Sequence, residues 1–371
     1  MNNSIENNNL IKYLSHPLIR DIGRKVLSEE RLTEKEGIFL FQYENIFETG
    51  LLADFVRRKK VGDFAFYGNN LNINHTNICE MKCPICAFSK DDGEEGSYIM
   101  TVDDILKKVE KYRDSGVEEI HIVGGVNRHI NLTYLEDIFS GIKKINEKFH
   151  IQALTCVEYD YISRKEGITL NNVFKRLKKA GLGSIPGGGA EIFNGKIREI
   201  IAPQKISGDR WLEVSEKAHR EGIRTNATML YGHIESYADR IDHMIKLRAL
   251  QDKTGGFMAF VPLTFHPYNT ELEHMVKEKT DIYDILKVIA VSRLMLDNFD
   301  HIKALWMYMG QEFIEIALHM GADDLGSTSI EEKIVKSAGG ETREIMKNED
   351  FECLIIKAGL IPRRVVSNYG I

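Results

Sequence analysis

The chain has 371 residues, of which 43% are hydrophobic, and its formal net charge at pH 7 is -6. A chain of this length can bury one large core, and its scattered Lys and Arg residues predict no nucleic-acid partner. Because no apolar run reaches the ~18 residues of a membrane span and the first residues lack a signal-like pattern, we expect a cytoplasmic protein without a membrane segment.

The first predicted elements are helices. Apolar residues recur at helical spacing from about Asn9 to Lys59, and Leu32-Thr-Glu-Lys-Glu36 has the pattern of a capped helix start. We therefore expect a helical extension over residues 1–60.

Strand-like and helical segments then alternate. The predicted strands are Leu71–Thr76, Glu119–Val123, His150–Thr155, Leu182–Ile185, Ile223–Leu230, Gly256–Val261, His301–Trp306 and a weaker eighth, Ala322–Leu325. The predicted helices between them are Val102–Ser115, Tyr134–Glu147, Leu170–Ala180, Ser207–Glu221, Tyr237–Thr254, Asp281–Asn298 and Gly310–His319. Such alternation favours an α/β fold, a TIM-type (β/α) barrel over residues 61–340 with helical additions at both ends. Residues 341–371 would be a second extension, packed on the barrel.

Three cysteines follow the first predicted barrel strand. Cys79, Cys83 and Cys86 form a C-x3-C-x2-C triplet, and three thiolates would leave a [4Fe–4S] cluster with one iron open for a small molecule. A structural zinc site is an alternative, although the nearest fourth ligand, His75, precedes the triplet and no second C-x2-C follows. Buried structural cysteines are the other alternative.

Glycine-rich turns follow two further strands, at the barrel end where active sites lie. Gly124 and Gly125 let the backbone approach a ligand, or form a plain turn. After the fourth strand, Ser184-Ile-Pro-Gly-Gly-Gly-Ala-Glu-Ile-Phe193 suggests a substrate or ribose contact. Glu191 would there accept hydrogen bonds from sugar hydroxyls or bind an amine; alternatively, it is only a favourable charge at a helix N-terminus.

Three polar residues later in the chain are further candidates. His233, in Thr228-Met-Leu-Tyr-Gly-His-Ile-Glu235, could be a general acid or base, or a structural histidine. His266 lies in the loop fixed by Pro262 and Pro267, at the expected barrel mouth. Arg293 could reach a substrate carboxylate, or could be a cation at the surface or the edge of the core.

The triplet at the end of a first barrel strand resembles the radical S-adenosylmethionine (SAM) superfamily. The resemblance implies that SAM binds the fourth iron and that one electron from the cluster releases a 5′-deoxyadenosyl radical. It also implies a set of cofactor-binding residues: Phe88, Gly124, Gly125, Glu191, Thr228, Leu230, Gly232 and Glu235. Two positions depart from the superfamily pattern. Ile85 replaces an aromatic residue before the third cysteine, and Val126 replaces an acidic residue after the glycine pair.

A narrower resemblance is to the aminofutalosine synthases of the futalosine route to menaquinone. It rests on Asn74–Phe88, Pro186–Phe193, Leu230–Glu235, Leu250–Phe257 and Pro262–Thr270. It implies that the deoxyadenosyl radical adds to the enol ether of 3-[(1-carboxyvinyl)oxy]benzoate. The adduct then rearranges and loses its carboxylate, giving 6-amino-6-deoxyfutalosine, so that SAM is a co-substrate.

The predicted substrate-binding residues are Asn74, Thr76, His266 and Arg293, and the predicted catalytic residues are Glu191, His233 and His266. A flavodoxin- or ferredoxin-type reductant is the expected electron donor. A homodimer stays open as an alternative to a monomer.

Dehypoxanthine futalosine cyclase and the deazaflavin-cofactor synthases resemble this chain in the same motifs. The cyclase tends to have Trp and Gln where this chain has Leu263 and His266. An iron–sulfur electron carrier or a zinc-stabilised binding protein is an alternative from a different class. It would leave the glycine turns without a purpose.

Overall fold

In this computed structural model, the described residues are 10–276, 279–338 and 346–370. Three helices come first: α1 (Pro17–Leu27), α2 (Glu34–Gln42) and α3 (Ile46–Val61). Thr33 begins α2 with a capping box, in which its side chain accepts from the Glu36 N–H and Glu36 returns a bond to its backbone. Residues 10–12 are helical as well, so the expected helical character is present in the described part of this region.

Seven parallel strands form the central sheet, in chain order and without reversal. They are β2 (Asn70–Ile73), β3 (Glu119–Ile122), β4 (His150–Ala153), β5 (Leu182–Ile185), β6 (Arg224–Tyr231), β7 (Phe257–Thr264) and β8 (His301–Ile302). Consecutive parallel strands joined by helical connections curve into a half-barrel, because each crossover packs on the same face. The predicted α/β barrel class is confirmed.

A second, three-stranded sheet has the order β10-β1-β9 and was not expected. It contains β1 (Phe64–Gly68), β9 (Asp324–Ser327) and β10 (Ile361–Arg364). The predicted eighth barrel strand corresponds to β9, which pairs with β1. Isolated parallel bridges join Lys303 to Asp324 and Leu71 to Ile330, so segment 324–330 lies between the two edges of the half-barrel.

Helices cover the outer face of the barrel. They are α4 (Val102–Lys111), α5 (Leu132–Ile145), α6 (Cys156–Glu166), α7 (Leu170–Ala180), α8 (Gly195–Ile201), α9 (Gly208–Arg220), α10 (Tyr237–Thr254) and α11 (Ile282–Met295). Further helices follow β8, namely α12 (Trp306–Met309), α13 (Ile314–His319), α14 (Ile334–Ser337) and α15 (Asn348–Lys357), with a 3₁₀ turn at Gln311–Phe313. In the described residues, no helix combines the length and the apolar character that crossing a membrane requires.

Capping explains several of these boundaries. Thr101, Thr155 and Ser236 each begin a helix with a capping box. Gly167 and Gly255 end α6 and α10 in the left-handed conformation that glycine adopts without strain. The predicted helix over 310–319 is wrong in its first turn, which is the 3₁₀ segment. The division into 1–60, 61–340 and 341–371 stays a prediction.

Candidate active site

A cavity of about 400 Å³ occupies the interior of the barrel. Its lining includes all three cysteines of the triplet at the carboxyl ends of the strands, and Asn70 and Glu119 near the opposite ends. A TIM barrel is normally filled by packed side chains, so an interior cavity of this size is a departure that leaves room for a ligand. The cysteines therefore open onto the interior of the barrel.

The three cysteines are free thiols in one loop. The Sγ of Cys79 lies 3.4 Å from the N–H of Val126, which donates to it. Burial raises the pKa of the Cys83 thiol to about 11, while the nearby ammonium of Lys205 acts in the opposite direction. A cluster iron would replace the proton and hold the sulfur as a thiolate.

The donor set fits an iron–sulfur cluster better than a single ion. Within residues 10–276, 279–338 and 346–370, no three His, Cys, Asp or Glu side chains converge on one metal position. A cubane cluster needs no such convergence, because each thiolate binds a different iron atom. The zinc alternative gains no support, and His75 lies against Gly124 and Tyr134 rather than on the cavity wall.

The Gly124–Gly125 pair seats the cysteine loop. A Cβ on Gly125 would lie 2.1 Å from the carbonyl oxygen of Ile78 and 3.0 Å from the Cβ of Cys79. The Gly125 N–H donates to the carbonyl of Thr76 at 2.9 Å. Both glycines line the cavity, as a cofactor-contacting turn would require. They also act by letting the end of β3 approach the backbone of the loop.

The second glycine turn brings Glu191 beside the cysteines. Glu191 lines the cavity with a left-handed backbone (φ 47°), and its Oε1 lies 2.6 Å from the Nζ of Lys205. Burial opposes the charged form, but Lys205 and Arg198 outweigh it and lower the pKa of Glu191. The guanidinium of Arg198 donates to the carbonyls of Gly189 and Ile192, at 3.3 and 3.1 Å, and so fixes the turn.

Lys205 and Arg198 were missed by the sequence reasoning. Lys205 lines the cavity, and the carboxylate of Glu191 and the sulfurs of Cys83 and Cys86 raise its pKa against the effect of burial. A basic residue following a Gly-Gly-Gly-Ala-Glu turn could have pointed to this pair, but nothing local shows that α8 folds back onto the turn.

Thr228 is the member of its motif that reaches the cavity. Its hydroxyl donates to the carbonyl of Gly187 at 2.8 Å. Leu230, Gly232 and Glu235 are not on the cavity wall. Glu235 instead accepts from the N–H groups of Gly232 and His233, at 2.7 and 2.9 Å.

His233 belongs to the same turn, and its position differs from that expected of a general acid or base. Its Nε2 lies 3.1 Å from the carbonyl oxygen of Leu230, its Nδ1 lies 2.9 Å from Glu235, and its side chain is fully buried. The ring holds the turn together and does not line the cavity. The predicted acid–base role therefore has no geometric support.

Of the four predicted substrate-binding residues, Asn74 lies on the wall of the cysteine cavity, and the other three do not. Asn74 lines the cavity, and its Oδ1 is buried without a partner among the described residues. Thr76 donates to the carbonyl of Tyr98 at 2.8 Å and accepts from the N–H of Ile78 at 3.1 Å, so it orders the cysteine loop from outside the cavity wall.

Arg293 lies away from the cavity. It is fully buried, forms an ion pair with Asp323 and donates to the carbonyls of Gly321 and Asp300, at 2.8 and 3.0 Å. Asp323 and these carbonyls use its donors, which corrects the prediction that it contacts substrate.

His266 lines a second cavity that shares the wall of Trp306, Met307 and Tyr308 with the first. Its ring stacks on Tyr308 with centroids 5.4 Å apart, and both ring nitrogens lack partners among the described residues. Burial lowers the pKa of His266 to about 4, and Lys279 adds to this shift. The structure therefore places it one layer behind the wall of the cysteine cavity.

A polar layer inside the barrel was also missed. Asn72, His121, Gln152 and Ser184 occupy paired positions on four adjacent strands. The first three line the cavity, together with Glu119, Lys303 and Asp324. Strands covered by helices usually read as continuous apolar runs, so alternating polar residues in Glu119-Ile-His-Ile122 were the available signal of a polar interior.

Segment 365–367 forms part of the cavity wall at the end away from the cysteines. The N–H of Ser367 donates to Glu119 at 2.7 Å. Further along, the hydroxyl of Tyr369 donates to Asp324 at 2.5 Å, and its ring stacks on His301 with centroids 3.6 Å apart. These contacts close the far end of the barrel.

The cavity also has unsatisfied polar atoms that a ligand could satisfy. Asn74 Oδ1, Ser89 Oγ and Asn226 Oδ1 are buried, belong to lining residues and lack partners among the described residues. Such atoms cost free energy unless something bonds to them. Phe88 lies on the same wall and adds an aromatic face. The cavity thus fits a polar cofactor beside the cysteines.

The chain matches the Radical SAM superfamily over residues 73–247 and the CofH/MqnC C-terminal region over residues 254–371. It is 39% identical over 348 residues to the aminodeoxyfutalosine synthase of Thermus thermophilus, covering 93% of this chain and 94% of that protein. It is also 39% identical over 329 residues to the 5-amino-6-(D-ribitylamino)uracil–L-tyrosine 4-hydroxyphenyl transferase of Archaeoglobus fulgidus, covering 88% of this chain and 94% of that protein.

Solved structures show the same fold. The FeFe-hydrogenase maturase HydG from Carboxydothermus hydrogenoformans matches with a TM-score of 0.75 at 17% identity, covering 99% of this chain and 84% of that one. Methylornithine synthase (PylB) matches with a TM-score of 0.71 at 16% identity, covering 92% of this chain and 97% of that one. At such identities the likeness concerns the fold alone.

Proposed function

This chain belongs to the radical SAM superfamily and uses a [4Fe–4S] cluster and SAM, and we propose that it is an aminofutalosine synthase. It would break the C5′–S bond of SAM, release methionine and add the 5′-deoxyadenosyl group to 3-[(1-carboxyvinyl)oxy]benzoate. Rearrangement and loss of a carboxylate as bicarbonate or CO2 would then give 6-amino-6-deoxyfutalosine. The observation that carries the proposal is the 39% identity to the Thermus synthase over nearly the whole of both chains.

Cys79, Cys83 and Cys86 would hold the cluster, and the other residues act by binding and exclusion. The cluster and SAM together supply a primary carbon radical when bound. Lys205 and Glu191, paired at 2.6 Å beside the cysteines, match the carboxylate and the ammonium of an amino acid. We assign them to the methionine part of SAM.

Exclusion of water and of stray hydrogen donors is the second task of the site. The cavity is bounded by the barrel, by the Trp306–Tyr308 wall and by segment 365–367. An enclosed, ordered cavity holds the two reacting carbons together and keeps other C–H bonds away. This reaction needs no acid–base residue beside the cysteines, which agrees with the position of His233 outside the cavity.

A second candidate is the transfer of the tyrosine 4-hydroxyphenyl group to 5-amino-6-(D-ribitylamino)uracil. The Archaeoglobus transferase is as similar in identity as the Thermus synthase. Its ribityl substrate would also suit the amides and carboxylates that line the barrel interior, which include Asn70, Gln152 and Glu119. The two candidates share the cysteines and differ in the substrate.

The test is a product analysis by mass spectrometry. The enzyme, reconstituted with iron and sulfide without oxygen, is incubated with SAM, dithionite and either the enol-ether benzoate or the ribitylaminouracil with tyrosine. We expect 6-amino-6-deoxyfutalosine from the first mixture and only background 5′-deoxyadenosine from the second. Adduct formation only from the second mixture would assign the chain to the transferase. The Cys83→Ala variant is the matched control and should form neither.

The proposal extends to partners. A flavodoxin- or ferredoxin-type protein would supply the electron in the cell, and reduction of the reconstituted cluster by such a protein can be followed by electron paramagnetic resonance. A homodimer is the proposed alternative to a monomer, and light scattering of the holoenzyme distinguishes the two.

A further inference from the structure

The histidine inside the barrel has no role in the function proposed above. His121 is the histidine among the described residues that line the cavity. It projects from β3 in the same layer as Asn72 and Gln152. Its side chain is half-buried and lines the interior cavity. Burial by the surrounding protein disfavours the charged ring and lowers its pKa. Such a group faces whatever the cavity contains.

Hydrogen bonding defines which nitrogen faces the ligand. The Nδ1 of His121 lies 3.0 Å from the Oε1 of Gln152, and the Nε2 of Gln152 donates to the hydroxyl of Ser184 at 3.2 Å. An amide oxygen can only accept, so Nδ1 carries the proton. No hydrogen bond to Nε2 occurs within the described parts of the chain, so this nitrogen is the free one. Because Nδ1 keeps its partner in either state, Nε2 can take up a proton without disturbing the layer.

The charged residues that line the cavity would favour the uptake of a proton when an anionic substrate binds. The charged lining residues are two lysines and four carboxylates, namely Lys205, Lys303, Glu119, Glu191, Asp324 and Glu332. Both lysines are already paired, Lys205 with Glu191 at 2.6 Å and Lys303 with Asp324 at 2.8 Å. A substrate with two carboxylates would add negative charge to a barrel interior in which each described lining lysine is already paired with a carboxylate and no arginine is among the described lining residues. Uncompensated charge in such a space is costly.

His121 and Lys303 are close enough to influence each other, and both lie within the barrel. Burial is the largest influence and lowers the pKa of His121, Glu119 and the hydrogen bond with Gln152 raise it, and Lys303 lowers it, so that the pKa lies below its ordinary value. Asp324 faces the same space through its ion pair with Lys303. This balance favours a neutral ring in the free enzyme. A carboxylate arriving next to Nε2 would favour the charged ring, as any close opposite charge does.

The position of the cysteines sets the direction of the substrate. The reacting vinyl carbon must lie next to the cofactor, at the carboxyl ends of the strands where the cysteines line the cavity. The aryl carboxylate, at the other end of a rigid benzoate, would then point into the barrel. We propose that His121 and Lys303 form the seat of this aryl carboxylate, and that His121 takes up one proton when the substrate binds. This proposal rests on the proposed function.

Calorimetry of substrate binding tests it with the holoenzyme. The reconstituted enzyme with SAM and no reductant is titrated with the enol-ether benzoate at pH 7.5 in phosphate and in Tris, whose ionisation enthalpies differ. We expect the wild type to take up close to one proton per substrate bound and His121→Gln to take up none. The Kd of His121→Gln for the substrate should be about 10- to 100-fold larger than that of the wild type. The control Glu332→Gln removes one of the two lining carboxylates outside the ion pairs, the other being Glu119, and should keep the uptake.

A truncated substrate separates a direct contact from a structural effect. 2-Phenoxyacrylate lacks the aryl carboxylate, so the wild type should bind it about 10- to 100-fold more weakly and without proton uptake. His121→Gln should not distinguish the two compounds in this way. Gln152→Glu gives a second variant, in which the new carboxylate keeps His121 protonated before binding and should abolish the uptake while substrate still binds.

The outcomes are distinct. Proton uptake that persists in His121→Gln and disappears in Glu332→Gln would overturn the seat while leaving the synthase function intact, provided that product still forms. Equal discrimination of the two compounds by wild type and His121→Gln would overturn it as well. A wild type that neither binds nor converts the enol-ether benzoate would overturn the proposed function and the seat together.

Discussion

Replacing Gly125 by alanine should prevent the cysteine loop from seating on the barrel. The new Cβ would lie 2.1 Å from the carbonyl oxygen of Ile78, where ordinary contacts begin at about 3.4 Å, so one of the two backbones must move by about 1.3 Å. Overpacking of this kind costs about 1–3 kcal/mol. The movement also pulls the N–H of Val126 away from the Sγ of Cys79, now 3.4 Å apart.

The expected result is a folded barrel with poor cluster loading. Iron and sulfide per chain after reconstitution should fall well below the wild-type values, and product formation should fall about 100-fold because the cofactor is misplaced by about 1 Å. Gly195→Ala is the matched control. Among the described residues, no atom lies within 4 Å of its new Cβ, and it is the first residue of α8, a helix that alanine also favours. Full cluster content and activity in Gly125→Ala would refute the reasoning.

Three further predictions concern charged groups. Lys205→Met should raise the KM for SAM about 10- to 100-fold with the cluster retained, while Lys205→Arg should recover part of the loss; an unchanged KM would remove Lys205 from the SAM site. Arg293→Met should lower the free energy of unfolding by about 3 kcal/mol in urea, because it leaves the buried carboxylate of Asp323 with His301 and the Ile302 N–H but without its guanidinium partner, and should leave the substrate KM unchanged. Burial acts most strongly on Glu235 and raises its pKa, but His233, Arg240 and the Gly232 N–H together outweigh it and lower the pKa to about 2. The stabilisation by Glu235 is therefore complete above pH ~4.5 and is lost as the pH falls toward 2. Glu235→Gln should therefore destabilise the protein at pH 7 by about 3 kcal/mol and flatten its acid unfolding between these pH values; an unchanged acid limb would contradict the assignment.

Chemistry that lies within a few neighbouring residues could be predicted from the sequence. Cys79, Cys83 and Cys86 stand within eight residues, so their common use as ligands needs no knowledge of the fold. The strand–helix alternation indicated the parallel barrel, because periodicity and helix caps are local properties. The glycine pair was also visible, although its close contact with Ile78 was not.

The roles of some residues depend on long-range packing and could not be predicted from the sequence. His233 looked like an acid or base at the mouth of the barrel, but Glu235 and the carbonyl of Leu230 hold its ring in the turn. Arg293 was predicted to contact substrate, but it forms a buried ion pair with Asp323, thirty residues later in the chain. Helix α11 is buried along nearly all of its length, so no local amphipathic pattern showed which way this arginine faces.

The sequence by itself determined the cofactor chemistry and the fold class, because three adjacent thiolates and a repeated strand–helix period are each written in short stretches of chain. Only the tertiary structure decided what fills the barrel. His121, Lys303 and Ser367 come from segments almost 250 residues apart, yet they line one cavity. Parallel strands bring alternate side chains to one interior, and segment 365–367 reaches that interior after β10. The alternation of side chains along a single strand shows that the strand has two faces, but it does not show which face points into the barrel. The inner face is defined only when segments 324–330 and 365–367 complete the wall of the barrel.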